Sequence, residues 1–198
     1  MIKNQLISTM DTIRTFIAID INVEKPLQDK WQEIKDLLQS EQIKWVDGDK
    51  LHLTLFFLGD TPIKNIDGIA NRLEKELYGK KEFKIAIQGF GYFGSASNPK
   101  VFWTGVSKSD ELILVKDSVT KALNAYGFIE EHREFSAHIT LARIKFMKQP
   151  KLLTNFIQQN KSIIFQESVV DRIILYNSDL RPSGPIYTPI KEIKLLSL

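Results

Sequence analysis

The stretch His52-Leu53-Thr54-Leu55 returns later in the chain as His138-Ile139-Thr140-Leu141. The chain has three histidines, and two of them stand in this frame, with threonine two places on and leucine three places on. Given the composition of the chain, chance produces such a coincidence in about one of ten thousand sequences. The repeat therefore indicates a structural or chemical cause.

Both frames lie in apolar runs that are typical of strands, at 51–59 and 135–144. Residues two apart on a strand point to the same face, so each His-x-Thr sets an imidazole beside a hydroxyl. The residues that follow each histidine and each threonine, Leu53, Leu55, Ile139 and Leu141, are then predicted to anchor the opposite face in the core. If a pseudo-two-fold axis relates the two frames, both pairs meet across one groove.

Outward from these frames, the sequence alternates between predicted strands and amphipathic helices. The other predicted strands are 14–20, 43–46, 83–90, 101–106, 163–165, 169–176 and a last one near 186–190, and the helices are 27–38, 63–77, 109–126 and 152–157. A loop is predicted at 94–99. The order suggests two similar units, the first ending near residue 90 and the second starting near 100. No glycine-rich loop follows a strand, which argues against a doubly wound nucleotide-binding fold.

Length and composition are those of one globular domain. The chain has 198 residues, of which 43% are hydrophobic and 26% charged, and no apolar run is long enough to span a membrane. Residues 1–12 are predicted to be a disordered tail, with Met10 as an alternative start, and 13–198 a single domain. The first dozen residues lack the features of a secretory signal.

Charge and cysteine content narrow the function further. The net charge of +3 is too small to hold duplex nucleic acid by electrostatics alone, but it is compatible with a single phosphate-bearing substrate. The absence of cysteine excludes disulfides, thiolate nucleophiles and cysteine zinc sites. We expect a reducing, cytoplasmic setting.

Two imidazoles and two hydroxyls that face a common point suit in-line displacement at a phosphodiester. One neutral histidine takes the proton of the attacking water, and one protonated histidine gives a proton to the leaving oxygen. The threonines donate hydrogen bonds to the non-bridging oxygens, where charge accumulates. This chemistry needs no metal and no cofactor.

Two other interpretations of the histidines compete with this one. A zinc site is disfavoured, because two histidines without a carboxylate at ligand spacing make a poor ligand set. Each motif could also be an ordinary buried strand whose histidine is satisfied by a neighbour, although the repeated frame argues against it. The third histidine, His132, lies among charged residues at 130–134 and is predicted to be a solvated loop residue.

The paired motifs and the sequence segments around them resemble those of the 2H phosphoesterase superfamily. Within it they resemble the RNA 2′,3′-cyclic phosphodiesterases, historically called 2′-5′ RNA ligases. The segments that show the resemblance are RTFIAID at 14–20, KWVDGDKLHLTLFFLGD at 44–60, VFWTGV at 101–106, FSAHITLARIK at 135–145 and SDLRPSGPIYTPI at 178–190. Together they extend over nearly the whole chain beyond residue 12.

The resemblance implies an α+β fold that is bilobal and duplicated, with two antiparallel sheets facing a central groove and helices on the outside. It also implies hydrolysis of RNA 2′,3′-cyclic phosphate ends to 2′-phosphomonoesters. In these proteins the first-motif histidine, here His52, donates a proton to the leaving 3′ oxygen. The second, here His138, accepts one from water, and the roles exchange in 2′-5′ ligation.

Residues beside the motifs are candidates for substrate binding. Arg143 corresponds to a basic position of the family's second motif and is predicted to pair with phosphate or stack on a base. Strict alternation places it opposite His138, so this role requires a bulge; otherwise it is a surface ion-pair residue. Phe56 shares the face of His52 and is predicted to line a nucleobase site, with Phe57 in the core, unless a bulge exchanges them. Trp45 and Tyr187 are expected to pack in the core or at the rim.

Two rival functions remain open at this point. One is a phosphodiesterase for 2′-5′-oligonucleotides or another special substrate, because the superfamily uses the same four residues on different substrates. The other is an RNA-end-binding module without turnover, against which the intact His and Thr of both motifs argue. The expected partner is an RNA end that bears a cyclic phosphate, with no membrane partner and a monomeric state.

Overall fold

The computed structural model describes residues 11–129, 135–182 and 184–197. Its strands are β1 (Thr12–Asp20), β2 (Gln42–Trp45), β3 (His52–Pro62), β4 (Phe83–Ser95), β5 (Asn98–Val106), β6 (His138–Phe146), β7 (Ile164–Val170), β8 (Arg172–Arg181) and β9 (Gly184–Lys194). Its helices are α1 (Lys25–Leu37), α2 (Ile63–Leu77), α3 (Asp110–Asn124) and α4 (Pro150–Gln159), with a 3-10 turn at Gly48–Lys50.

The helices form where the sequence repeats apolar residues every three to four positions. In α1 this spacing buries Leu27, Trp31 and Ile34. Ser109 caps α3, since its hydroxyl accepts a hydrogen bond from the backbone N–H of Leu112 at 3.2 Å. All four helices pack against strands, α1 on β7, α2 on β3 and β9, α3 on β3 and β4, and α4 on β4.

Among the described residues the strands form one antiparallel sheet in the order β7-β4-β5-β6-β3-β1-β8-β9, with β2 added on β6. The central contact in this order is narrow, because β3 and β6 pair only at Leu53 and Ile139. The rest of that edge of β6 is taken by β2, which pairs from Gln42 to Trp45. The sheet therefore consists of two groups of strands, joined at the centre of the two repeated motifs.

The mixed α and β composition and the antiparallel strands agree with the fold class that the sequence predicts. The prediction of two antiparallel sheets facing a groove is not confirmed, because the Leu53–Ile139 pair joins the two groups of strands in one hydrogen-bonded path. The predicted loop at 94–99 is shorter than expected. There β4 and β5 continue into a tight hairpin in which Ser95 pairs with Asn98, so the turn contains only residues 96 and 97.

The domain begins at least one residue earlier than the predicted start at residue 13. Thr12 pairs with Pro62 and so belongs to β1, while residues 1–10, to which the prediction of disorder applies, lie outside the described residues. No helix within the described ranges is long and apolar enough to cross a membrane.

Candidate active site

The two motif strands present their polar residues to one cavity. Leu53 and Ile139 pair across β3 and β6 and are fully buried, so the residues that flank them point to the other face. These are His52, Thr54, His138 and Thr140, and all four line one cavity of about 440 Å³. Leu55 and Leu141 are also buried, as the alternation predicts.

Each imidazole is held by a hydrogen bond to a backbone carbonyl two residues before it, where the chain enters the strand. Nδ1 of His52 lies 2.8 Å from the carbonyl oxygen of Lys50, and Nδ1 of His138 lies 2.7 Å from that of Ser136. A carbonyl only accepts hydrogen bonds, so Nδ1 carries the hydrogen in both rings. In the neutral ring Nε2 is then a proton acceptor, and in the charged ring it is a donor.

The environments of the two imidazoles differ. The ring of His52 lies 4.9 Å from Phe16 and 5.3 Å from Tyr187, between centroids. Burial lowers the pKa of His52 below 6.5; the Lys50 carbonyl and the Asp20 carboxylate oppose this shift, and the charge of His138 adds to it. His138 instead meets Phe93 edge-on at 4.8 Å.

Both motif strands contain a bulge at the same place. In β3, Thr54 pairs with Ala18 and Phe56 with Ile17, which leaves Leu55 as the extra residue. In β6, Thr140 pairs with Trp103 and Ala142 with Phe102, which leaves Leu141 as the extra residue. A bulge inverts the alternation beyond it, so the fifth residue after each histidine returns to the face of the motif. These residues are Phe57 and Arg143.

The bulge in β6 turns Arg143 toward the cavity. Its side chain lines the cavity with the four motif residues instead of facing away from His138. It pairs with Lys44 of β2 on one side and Val101 of β5 on the other. A guanidinium therefore lies at the cavity wall.

The bulge in β3 exchanges the two phenylalanines, and neither lines the cavity. Phe56 is 8% exposed in the core, with the ammonium of Lys116 5.1 Å from its ring centroid. Phe57 is 51% exposed, and the guanidinium of Arg14 lies 4.5 Å from its ring. The prediction that Phe56 lines a base site and Phe57 is core is therefore wrong, because the alternation on which it rested is broken at Leu55.

The remaining lining residues come from β2, the 3-10 turn and β9. Trp45 and Tyr187, expected to be in the core or at the rim, line the cavity, as do Gly184 and Pro185. Burial raises the pKa of Tyr187, which keeps its hydroxyl protonated. The lining also includes four residues that had no marker in the sequence beyond their place in the segment KWVDGDKLH before the first motif: Lys44, Val46, Asp47 and Lys50.

The charge at the cavity mouth is net positive. Among the described residues that line the cavity, Lys44, Lys50 and Arg143 contribute three cationic groups against the single carboxylate of Asp47. That carboxylate is already occupied, since Lys50 Nζ donates to it at 2.6 Å. The mouth therefore favours an anionic ligand.

The described residues contain no cluster of three or more histidine or acidic side chains arranged to hold a metal ion. A second cavity of about 310 Å³ adjoins the first, shares His52, Lys50 and Tyr187 with it, and is also lined by Asp20 and Tyr176. His132 lies outside the described residues.

A profile of the LigT-like phosphoesterases matches residues 18–103 and 105–187, so each matched segment contains one His-x-Thr motif. The chain belongs to this family. One curated relative in the family is the RNA 2′,3′-cyclic phosphodiesterase of Thermotoga maritima. It is 37% identical over 184 residues, which cover 91% of this chain and 94% of the relative.

Solved structures of similar fold include TT0787 of Thermus thermophilus, with a TM-score of 0.75 and 22% identity over 93% of this chain and 99% of that chain. E. coli LigT complexed with 3′-AMP has a TM-score of 0.69 and 22% identity, with the same coverage. The curled antiparallel sheet with its helices is thus the fold of LigT-like proteins.

Proposed function

We propose that the protein hydrolyses RNA 2′,3′-cyclic phosphate ends to 2′-phosphomonoesters by two-histidine acid–base catalysis without a metal. The observation that carries this proposal is the matched pair of imidazoles in one cavity. Both are tethered through Nδ1 to a backbone carbonyl two residues earlier. Such a tether fixes the tautomer and leaves Nε2 as the atom that exchanges protons.

In the proposed reaction, Nε2 of His138 takes a proton from a water molecule as its oxygen attacks phosphorus. The bond between phosphorus and the 3′ oxygen breaks, and that oxygen receives the proton of Nε2 of His52. The products are a 2′-phosphomonoester and a 3′-hydroxyl. At the end of the cycle His52 is neutral and His138 charged, and proton exchange with solvent restores both.

The other cavity residues stabilise the charge that develops on the phosphoryl oxygens. Within the described part of the chain the hydroxyls of Thr54 and Thr140 have no protein hydrogen-bond partner, so both can donate to substrate. The guanidinium of Arg143 provides a charged fork for a non-bridging oxygen or a flat surface for a base. Lys44 and Lys50 add positive charge at the mouth.

The proposal extends to a duplicated, bilobal architecture within one domain, predicted at 13–198 and beginning with Thr12 of β1. Three correspondences support it: the Nδ1 tethers, the bulges after Thr54 and Thr140, and the family match to two successive segments. In each group of strands the motif strand has its bulge at the same position. Two copies of one unit would each supply one histidine and one threonine.

Reversible 2′-5′ ligation follows from the same geometry, if a 5′-hydroxyl takes the place of water at His138. The 3′ oxygen again leaves with the proton of His52, so ligation keeps the roles of hydrolysis. The two roles exchange only in the reverse reaction, cleavage of the 2′-5′ bond, and not in ligation as expected above. We further propose that the protein acts as a cytoplasmic monomer. The relative from Thermotoga maritima, named as an RNA 2′,3′-cyclic phosphodiesterase, supports the choice of substrate.

The decisive experiment incubates the protein with an oligonucleotide that ends in a 2′,3′-cyclic phosphate, in the presence of EDTA, and identifies the product end. We expect turnover to a 2′-phosphate. A 3′-phosphate product would contradict the assigned leaving group, and activity that returns only with an added divalent metal would contradict the acid–base mechanism. Tight binding without turnover would favour an RNA-end-binding module, whereas cleavage confined to 2′-5′-linked oligonucleotides would favour the other rival.

A further inference from the structure

The two motifs differ in the residue that lies across the strand from each histidine. His52 at the start of β3 pairs directly with Asp20 at the end of β1. His138 at the start of β6 pairs with Gly105 of β5. Side chains directly opposite on antiparallel strands lie on the same face, with Cβ atoms about 5 Å apart. One imidazole therefore has a carboxylate beside it, and the other has no side chain there.

Asp20 is held in place by Tyr176 of β8. The tyrosine hydroxyl lies 2.8 Å from each carboxylate oxygen, and it is the donor because a carboxylate only accepts. Burial and the hydrogen bond to Asp20 raise the pKa of Tyr176, so the hydroxyl stays protonated. The Tyr176 ring stacks on Phe16 at 5.1 Å, and Phe16 in turn lies against His52. The carboxylate is thus attached to the same aromatic cluster as the imidazole.

We propose that Asp20, oriented by Tyr176, is a positioning residue that increases the protonated, proton-donating share of His52, and so makes the two motifs chemically unequal. The inference rests on the proposed function, because it concerns one of its two histidines. A proton donor needs its charged form before the reaction, whereas the acceptor needs its neutral form. Across the strand, His52 faces the carboxylate of Asp20 and His138 faces Gly105, and this difference separates the two roles.

Charged and titratable groups from several elements surround His52. They are Asp20 on β1, Asp49 and Lys50 in the 3-10 turn, His138 on β6, Tyr176 on β8 and Tyr187 on β9. Burial is the main cause that lowers the pKa of His52, and the charge of His138 adds to it. The Lys50 carbonyl and the Asp20 carboxylate oppose this shift and favour the imidazolium. Lys50 Nζ is directed to Asp47.

The solvent exposure of Asp20 limits how strongly its charge affects the pKa of His52. Asp20 is exposed, so solvent and salt screen its interaction with the imidazole. For a screened pair we expect the loss of the Asp20 charge to lower the pKa of His52 modestly. The effect should shrink at high ionic strength.

The test compares Asp20→Asn with the unaltered protein in kcat/KM from acid to alkaline pH. Above the pKa of both histidines, the active fraction is proportional to the protonated share of the proton donor. Below both, it depends only on the acceptor. Asp20→Asn should therefore lower kcat/KM about 3–10-fold at the alkaline end and leave the acid end unchanged. Asp49→Asn, which removes a carboxylate from the wall of the same second cavity, serves as the matched control and should have no such effect.

Three results would overturn the inference. A uniform loss at all pH values would mean that Asp20 has only a structural role. A gain at the acid end with no alkaline loss would make His52 the proton acceptor. An unchanged His52 titration in Asp20→Asn, followed by NMR of the imidazole, would remove the electrostatic link. The NMR titration needs no activity, so it separates failure of this inference from failure of the proposed function.

Discussion

Replacing either motif histidine by alanine tests the proposed mechanism most directly. His52→Ala and His138→Ala each remove one proton-transfer group, and each should lower kcat/KM for a cyclic-phosphate oligonucleotide by about 10²–10⁴. Both groups act in one concerted step. The double variant should therefore lose little more than the more damaged single variant.

The structure shows why unfolding cannot account for such losses. The His52 ring packs on Phe16 and Tyr187, and losing these contacts costs about 1–2 kcal/mol. For a chain of this length that lowers Tm by roughly 2–8 °C. Typical domains are stable by about 5–15 kcal/mol, so the variant remains folded at 25 °C. His138 loses an edge contact with Phe93 and should change less.

The pH profiles assign the two roles. Without His52 the proton donor is gone, so the alkaline decline should disappear and activity should rise to a plateau. Without His138 the acid-side decline should disappear instead. The assay measures initial rates across pH, with circular dichroism and Tm as folding controls and His132→Ala as the control histidine. Comparable losses at all three histidines, or losses at His52 and His138 that multiply in the double variant, would refute the reasoning.

The other predictions concern the surroundings of the histidines. Thr140→Val keeps the shape of the side chain but removes its hydroxyl, so single-turnover rates should fall about 10²–10³-fold; a change under threefold would exclude a role in charge stabilisation. Arg143→Lys keeps the charge without the planar fork, so it should raise KM or lower kcat at least several-fold, and unchanged kinetics would place Arg143 outside the substrate contacts. Gly91→Ala should lower Tm clearly, because a Cβ there would collide with the Trp103 ring. Gly48→Ala, whose Cβ would meet only the Trp31 ring at 3.9 Å, should not, and equal Tm values would contradict this packing.

The strand and helix order was predictable because each element buries one face, and burial leaves a period in the sequence. The strand 51–59 became β3 (His52–Pro62), and the helix predicted at 63–77 has the same bounds in α2. The motif residues were predictable for the same reason, since His52 and Thr54 stand two apart on one strand. The predicted catalytic roles of these residues and the monomeric state remain predictions.

What the periodicity could not predict was the behaviour of the strands at their bulges. An extra residue at Leu55 and at Leu141 changes the hydrogen-bond register without a marker in the sequence, so alternation assigned the wrong faces to Phe56 and Phe57. By the same alternation, Arg143 would face away from the cavity, and it lines the cavity because of the bulge at Leu141.

The sequence by itself determined which four residues share the motif faces, because that depends on neighbours two apart along one strand. Only the tertiary structure decided what lies beside them. Asp20 and Tyr176 are 156 residues apart in the chain, and they meet because β1 pairs with both β3 and β8. Cross-strand neighbours depend on strand order and register, which are settled by the packing of the whole sheet. The difference between Asp20 opposite His52 and Gly105 opposite His138 was therefore decided by the fold.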